Sequence, residues 1–239
     1  MNIGILVAVE FDAFYNIYKE PIERYKHGSF EVLKYHIHGK DVYVCPSSAG
    51  QIRAAIAMTL LLDFYKCGTI INYGVVGALN DRKVEELTVV ESVCHYEWDT
   101  SDVDDVAKGQ YEIFDDVAMK TTESLVDLAM KIDPHLEKVR LASGDKFIAG
   151  LESKTKLAND WDCDIVDMEG AAIALSCHLY GADFLMIKAV SDALTEGGAE
   201  FYENFERASK VAVGIIDDII KELYFCKGHK VFYKAIRFW

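Results

Sequence analysis

Basic residues are scarce in this chain: 25 lysines and arginines stand against 39 aspartates and glutamates in 239 residues, a formal net charge of −14. A surface of that sign repels polyanions, and no basic stripe interleaved with aromatics runs through the main body, so nucleic acid is not an expected partner. Cysteine occurs six times (Cys45, Cys67, Cys94, Cys163, Cys177, Cys226), never at the CxxC or Cys/His spacing of a structural zinc or a redox couple. The thiols therefore read as buried and reduced. His95, His135 and His178 are too scattered to form a metal site, and no cofactor is expected. Only three prolines occur, with no Pro- or Ser-rich linker, internal repeat or low-complexity tract to divide the chain. The opening run MNIGILVAVE has no preceding positive charge and no small-residue cleavage site, and it meets Glu10 too early to span a bilayer. A cytoplasmic protein without a membrane partner is expected.

What is present is enough apolar material, 51% of residues, to bury one large core. Residues 2 to 9 (NIGILVAV) form a near-continuous β-prone run, as a strand buried on both faces of a parallel sheet does. Further strands are predicted at 30 to 37, 41 to 45, 69 to 73, 88 to 94, 137 to 142, 164 to 167 and 183 to 190. Helical periodicity falls at 52 to 66, at 121 to 132 behind the capping Thr121 and Thr122, at 169 to 180 closed by Gly181, and from about 200 to 223. This alternation predicts an α/β fold, a three-layer αβα sandwich around a central mixed, largely parallel sheet. One domain over 1–223 is expected, followed by a tail at 224–239 that is basic and aromatic. Residues 97 to 116 hold eight acids and one lysine and too few apolar positions for a core element, so they read as a long loop.

In α/β sheets ligands bind outside the carboxyl ends of the strands, so polar residues just after apolar β runs are the candidates for a site. Glu10 and Asp12 follow the first strand. The turn GVVGAL, with Gly74, Val75 and Gly77, follows the strand at 69 to 73. Asp167, Met168 and Glu169 follow the strand at 164, Ser191 and Asp192 follow the strand at 183, and SGDKFIAG at 143 to 150 adds a fifth turn. Three strand ends thus offer carboxylates to one mouth. GVVG lacks the GxGxxG or Walker spacing of a phosphate cradle.

Taken in order, IGILVAVEFD (3–12), SSAGQIRAAIAMTLLL (47–62), IINYGVVGAL (70–79), SGDKFIAG (143–150), DMEGAAIA (167–174) and KAVSDA (188–193) resemble the methylthioadenosine/S-adenosylhomocysteine nucleosidases of the nucleoside phosphorylase superfamily. The resemblance covers about residues 1 to 223. It implies hydrolysis of a purine nucleoside at its N-glycosidic bond, a reaction through an oxocarbenium-like sugar that needs a proton for the leaving base and an activated water. By the same resemblance Asp192 would protonate purine N7, Glu169 would accept ribose hydroxyls, Met168 would pack under the sugar, Phe147 would stack on the base, and the backbone at Ile148 would read its Watson–Crick edge. A homodimer is also implied.

The chain departs from the family pattern around the nucleophile. Asp12 stands where the water-activating carboxylate is usually Glu, Lys188 replaces an arginine, and Val75 replaces a serine. Glu10, two positions earlier, would face the same side as Asp12 on an extended strand, so either acid is a candidate base. Two other activities stay open: a phosphorylase using phosphate, for which Arg53 at a helix start is the available donor, and a nucleoside-binding protein that has lost the chemistry. Phosphorylase relatives carry arginines near the first-strand turn, where this chain reads VEFDAF. The acidic loop at 97 to 116 favours nucleosides over 5′-phosphorylated nucleotides.

Overall fold

The opening apolar run folds as β1 (Asn2–Val7), with every residue from Ile3 to Val7 buried. Parallel partners hold both of its edges and helices cover both of its faces, so neither face meets solvent. The computed structural model describes residues 2–195 and 198–223, and the tail at 224–239 lies outside the described residues. After β1 come α1 (Phe11–Tyr18), β2 (Glu23–His27), β3 (Phe30–Ile37), β4 (Lys40–Pro46) and α2 (Gln51–Thr59), which runs into a π-helical turn at Leu60–Phe64. The chain continues through β5 (Cys67–Ala78), β6 (Leu87–His95), β7 (Ala118–Lys120), α3 (Glu123–Ile132), β8 (Glu137–Ser143) and α4 (Leu151–Trp161). It closes with β9 (Ile165–Asp167), α5 (Gly170–Tyr180), β10 (Asp183–Asp192), α6 (Gly198–Gly214) and α7 (Ile216–Glu222).

The strands form one mixed sheet in the order β10-β6-β8-β9-β5-β1-β4-β3-β2, with β7 on β6 and a further pairing of β10 with β5. That last pairing closes β5, β10, β6, β8 and β9 into a barrel-like ring. The sheet is mixed, as the alternation of elements predicts, and it includes this closed ring, which that alternation does not predict. Pairs β1–β4, β1–β5, β5–β10, β6–β8 and β8–β9 are parallel, but β2–β3, β3–β4, β5–β9, β6–β7 and β6–β10 are antiparallel. The physical cause is the length of β5, 12 residues. One of its edges is taken by β1 as far as Asn72 and then by β9 at Gly77 and Ala78, while β10 runs along the other from Thr69 to Gly77.

Two cores flank the strands. Ile3, Ile5 and Val7 pack with Phe14 of α1, Val126 of α3, Ala212 of α6 and Ile219 of α7. Leu6 points the other way, into a cluster with Met58 of α2 and Ala174 of α5, which is the alternation that a pleated strand imposes. The helix expected from 200 to 223 is interrupted at Ile215, after Gly214, and continues as α7. Residues 97 to 116 carry neither helix nor strand, as a long acidic loop should.

Candidate active site

Ten of the positions singled out from the sequence, Glu10, Val75, Gly77, Phe147, Ile148, Asp167, Met168, Glu169, Ser191 and Asp192, line a single cavity of about 430 Å³. Asp12 and Lys188 do not line it. The cavity lies beyond the carboxyl ends of β1, β9 and β10, beside the second half of β5, and the N-terminal turns of α6 form a further wall.

Glu10 is buried although it is charged, and backbone donors compensate it: Val75 N–H donates to Oε1 and Val9 N–H to Oε2, each at 2.9 Å. A Cβ on Gly74 would stand 3.0 Å from Oε1, so the first glycine of GVVG makes room for a carboxylate rather than a phosphate. Asp12 is two residues away but does not share that side. The extended strand ends at Val7 and the helix α1 begins at Phe11, so the period-2 geometry that would align the two acids is gone. Asp12 sits exposed in the first turn of α1, on a neighbouring cleft of about 320 Å³ that it shares with Glu10, Asn16 and Lys210.

Asp192 ends β10 at a break in register, where Val190 pairs with Val76 and Asp192 with Gly77. The extra residue, Ser191, is the kind of bulge that re-aims a side chain at a strand end. Ser191 Oγ donates to Asp192 Oδ1 at 2.8 Å, and Lys154 Nζ, from the first turn of α4, donates to Oδ2 at 2.6 Å. Both partners of this ion pair are buried. A Cβ on Gly77 would lie 3.0 Å from Asp192 Oδ2, so the second glycine of GVVG leaves space for this pair.

Asp167 caps the turn into α5, accepting from Glu169 N–H (3.2 Å), Gly170 N–H (3.0 Å) and Ser143 Oγ (2.6 Å). Its other oxygen takes Lys188 Nζ at 2.9 Å. Lys188 is fully enclosed behind the cavity wall. Burial disfavours its ammonium, but Asp167, Glu169 and Glu10 together outweigh that and raise its pKa. Glu169 is pushed the opposite way for a carboxyl, up to about 8, first by burial and then by the charge of Asp167, against the pull of Lys188 and the Gly50 N–H that reaches Oε1 at 2.7 Å.

Phe147 is 45% exposed and meets Phe201 of α6 edge to face, with ring centroids 5.6 Å apart. Phe201, Tyr202 and Phe205 complete an aromatic wall beside Met168. The helical stripe of Phe201 and Phe205 is visible in the sequence, but periodicity alone does not separate a face lining a cavity from one lining a core. Lys154 gives less warning still, a lysine in a polar helix whose inward position shows only in its spacing from the buried Leu157. Among the described residues no arginine lines the cavity, and Arg53 is exposed on α2.

This fold and this pocket of buried carboxylates have counterparts. A family model described as the phosphorylase superfamily matches residues 2–221, and the chain belongs to that superfamily. Within it, the chain is similar to the 5′-methylthioadenosine/S-adenosylhomocysteine nucleosidase of Actinobacillus succinogenes, 32% identical over 232 residues that cover 93% of this chain and 100% of the relative. The aminodeoxyfutalosine nucleosidase of Helicobacter pylori is 27% identical, with 93% and 99% covered. The crystal structure of a Helicobacter pylori 5′-methylthioadenosine/S-adenosylhomocysteine nucleosidase superposes with a TM-score of 0.87 at 26% identity, covering 93% of this chain and 99% of that one. The architecture is that of the nucleoside phosphorylase fold.

Proposed function

We propose that this protein is a purine nucleosidase that hydrolyses the N-glycosidic bond of an adenine nucleoside such as methylthioadenosine or S-adenosylhomocysteine. The observation that carries the reading is the placing of two buried acids, Glu10 and Asp192, on one cavity and against one strand, beside Gly74 and Gly77 of β5. Glu10 takes the water-activating role, because it lines the cavity and Asp12 does not. Each of its oxygens accepts one backbone N–H, which leaves a lone pair on each for a water. Asp192 protonates N7 of the leaving base, Glu169 accepts the ribose hydroxyls, Met168 lies under the sugar, and Phe147 with Phe201 flanks the purine. Lys188 acts behind the wall by holding Asp167, and through it the turn that presents Met168 and Glu169.

Water rather than phosphate is the nucleophile in this reading. A phosphorylase holds its anion with cationic donors. Lys146 is the one basic side chain on the wall among the described residues, and Lys188 is spent on Asp167. The relatives' names differ in what hangs from the 5′ carbon, so the 5′ group is the variable part of the substrate.

A homodimer is part of the proposal, supported by Ile52 and Ile56, which stand 74% and 46% exposed one turn apart on α2, close to the cavity residue Ala49. No helix among the described residues is long and apolar enough to cross a membrane. The five described cysteines, all free and buried, suit a reducing cytoplasm.

The test is to incubate the protein with methylthioadenosine, S-adenosylhomocysteine, adenosine and inosine, with and without phosphate, and to separate the products. Free adenine and free sugar in the absence of phosphate are expected. Base release only with phosphate assigns the phosphorylase reaction instead, and no release from any of the four favours a binding protein.

A further inference from the structure

Lys154 occupies a position that local stability does not explain. It is fully buried, and its charge lies in the first turn of α4, where the helix dipole disfavours a cation. A buried ion pair seldom stabilises more than apolar residues of the same size would, so the Lys154–Asp192 pair is not accounted for by folding. The neighbourhood is nonetheless built around it. Lys154 Nζ has three acceptors, Asp192 Oδ2 at 2.6 Å, Ala193 O at 2.6 Å and Asp192 O at 3.3 Å, one for each hydrogen of an ammonium. Gly77 leaves room for the acceptor of this pair, since a Cβ there would lie 3.0 Å from Asp192 Oδ2.

We infer that Lys154 is the proton store for the leaving base, acting through Asp192. This rests on the nucleosidase reading above. An aspartate paired with an ammonium is an anion and has no proton to give, and the Lys154 ammonium is the cation that Asp192 faces at 2.6 Å. The hydrogen nearest Oδ2 belongs to Lys154. As the C1′–N9 bond stretches, its electron pair moves into the purine and N7 becomes basic. The proton passes from Lys154 Nζ to Asp192 Oδ2, and the carboxyl proton passes to N7. Adenine leaves neutral, Asp192 ends as carboxylate and Lys154 as amine. The attacking water gives its oxygen to C1′ and one proton to Glu10. Exchange with solvent after release returns that proton equivalent to Lys154, so charge and atoms balance over the cycle. Lys154 is thus a positioning residue that also charges the acid, and Asp192 is the group that touches the substrate.

The test is the pH profile of kcat with methylthioadenosine for the wild-type chain, K154M, D192N and the double variant. For K154M we expect kcat to fall about 100-fold near pH 8 with KM within about threefold. The defect should shrink at least about tenfold toward pH 5, where solvent supplies the proton that the lysine otherwise gives. Adding K154M to D192N should cost no more than about a further threefold, because the lysine works only through the acid. A folded K154M with wild-type kcat near pH 8, or with a loss equal at every pH, overturns the inference. If K154M alone does not fold, the residual single-turnover rate of D192N compared with that of the neutral double variant decides, and a further loss beyond about threefold overturns it. These failures differ from failure of the nucleosidase reading, which is absence of base release by the wild-type chain.

Discussion

At the scale of single residues, the Glu169 carboxyl ties the stability of the fold to pH. Glu169, raised to about 8 from an ordinary value near 4.5, holds a proton in the folded chain that the unfolded chain has released across that window. Stability therefore falls as pH rises from about 4.5 to 8, with an upper bound of about 5 kcal/mol at about 1.4 kcal/mol per pH unit. We expect Glu169→Gln to flatten the dependence of Tm on pH between 5 and 8 and to be more stable than wild type above pH 8, as calorimetry at a series of pH values will show. Glu10→Gln should lower kcat by about 100-fold or more while Asp12→Asn stays within about threefold of wild type. The reverse result in steady-state assays transfers the base to Asp12. Asp192→Asn strands the buried Lys154 ammonium, so besides losing turnover it should lose about 3 to 5 kcal/mol of stability in denaturant unfolding. Adding K154M should restore most of that stability, because the pair is then neutral.

Elements were legible from the sequence where burial alone defines them. Residues 2 to 9 and 183 to 190 are strands within a residue or two of their expected bounds, because a strand buried on both faces is written as a near-continuous apolar run. Missed elements are those whose burial is partial. β2 is half exposed and reads as ERYKH, β7 has three residues, and α4 is mostly polar outside Lys154 and Leu157. Ring closure was not legible because edge pairing is a matter of backbone hydrogen bonds, which side-chain pattern does not encode. The lining of the cavity was legible where polar residues follow strands, whereas Asp12 falls on the neighbouring cleft because a helix begins sooner than an extended reading allows. The contribution of α6 was invisible for the same reason that its aromatic stripe looked like core. It carries its own prediction: Phe201→Ala removes the edge-to-face partner of Phe147 and should raise KM by about tenfold with little change in kcat, measured by steady-state kinetics.

At the scale of the whole molecule, charge selects the ligand before any contact forms. With a net charge of −14 and an acidic stretch at 97 to 116, the chain should discriminate against a 5′-phosphate. Adenosine monophosphate is expected to show kcat/KM at least about tenfold below adenosine at low salt, with the gap narrowing above about 0.15 M salt as the Debye length falls to about 8 Å. A ratio insensitive to salt assigns the discrimination to local fit instead. The ring closure has a different consequence. Because β5 bonds to β1 along one edge and to β10 along the other, Glu10 and Asp192, the acids proposed to serve the water and the base, are both gauged from one ribbon of backbone, at Gly74 and Gly77. The distance across which the bond is broken is then fixed by the repeat of a single strand. The rest of the cavity wall stands on the 144–150 turn, on the turn between β9 and α5 and on α6, outside that gauge. Such a molecule can change its clientele by redrafting its periphery while the span of its cutting edge stays the same.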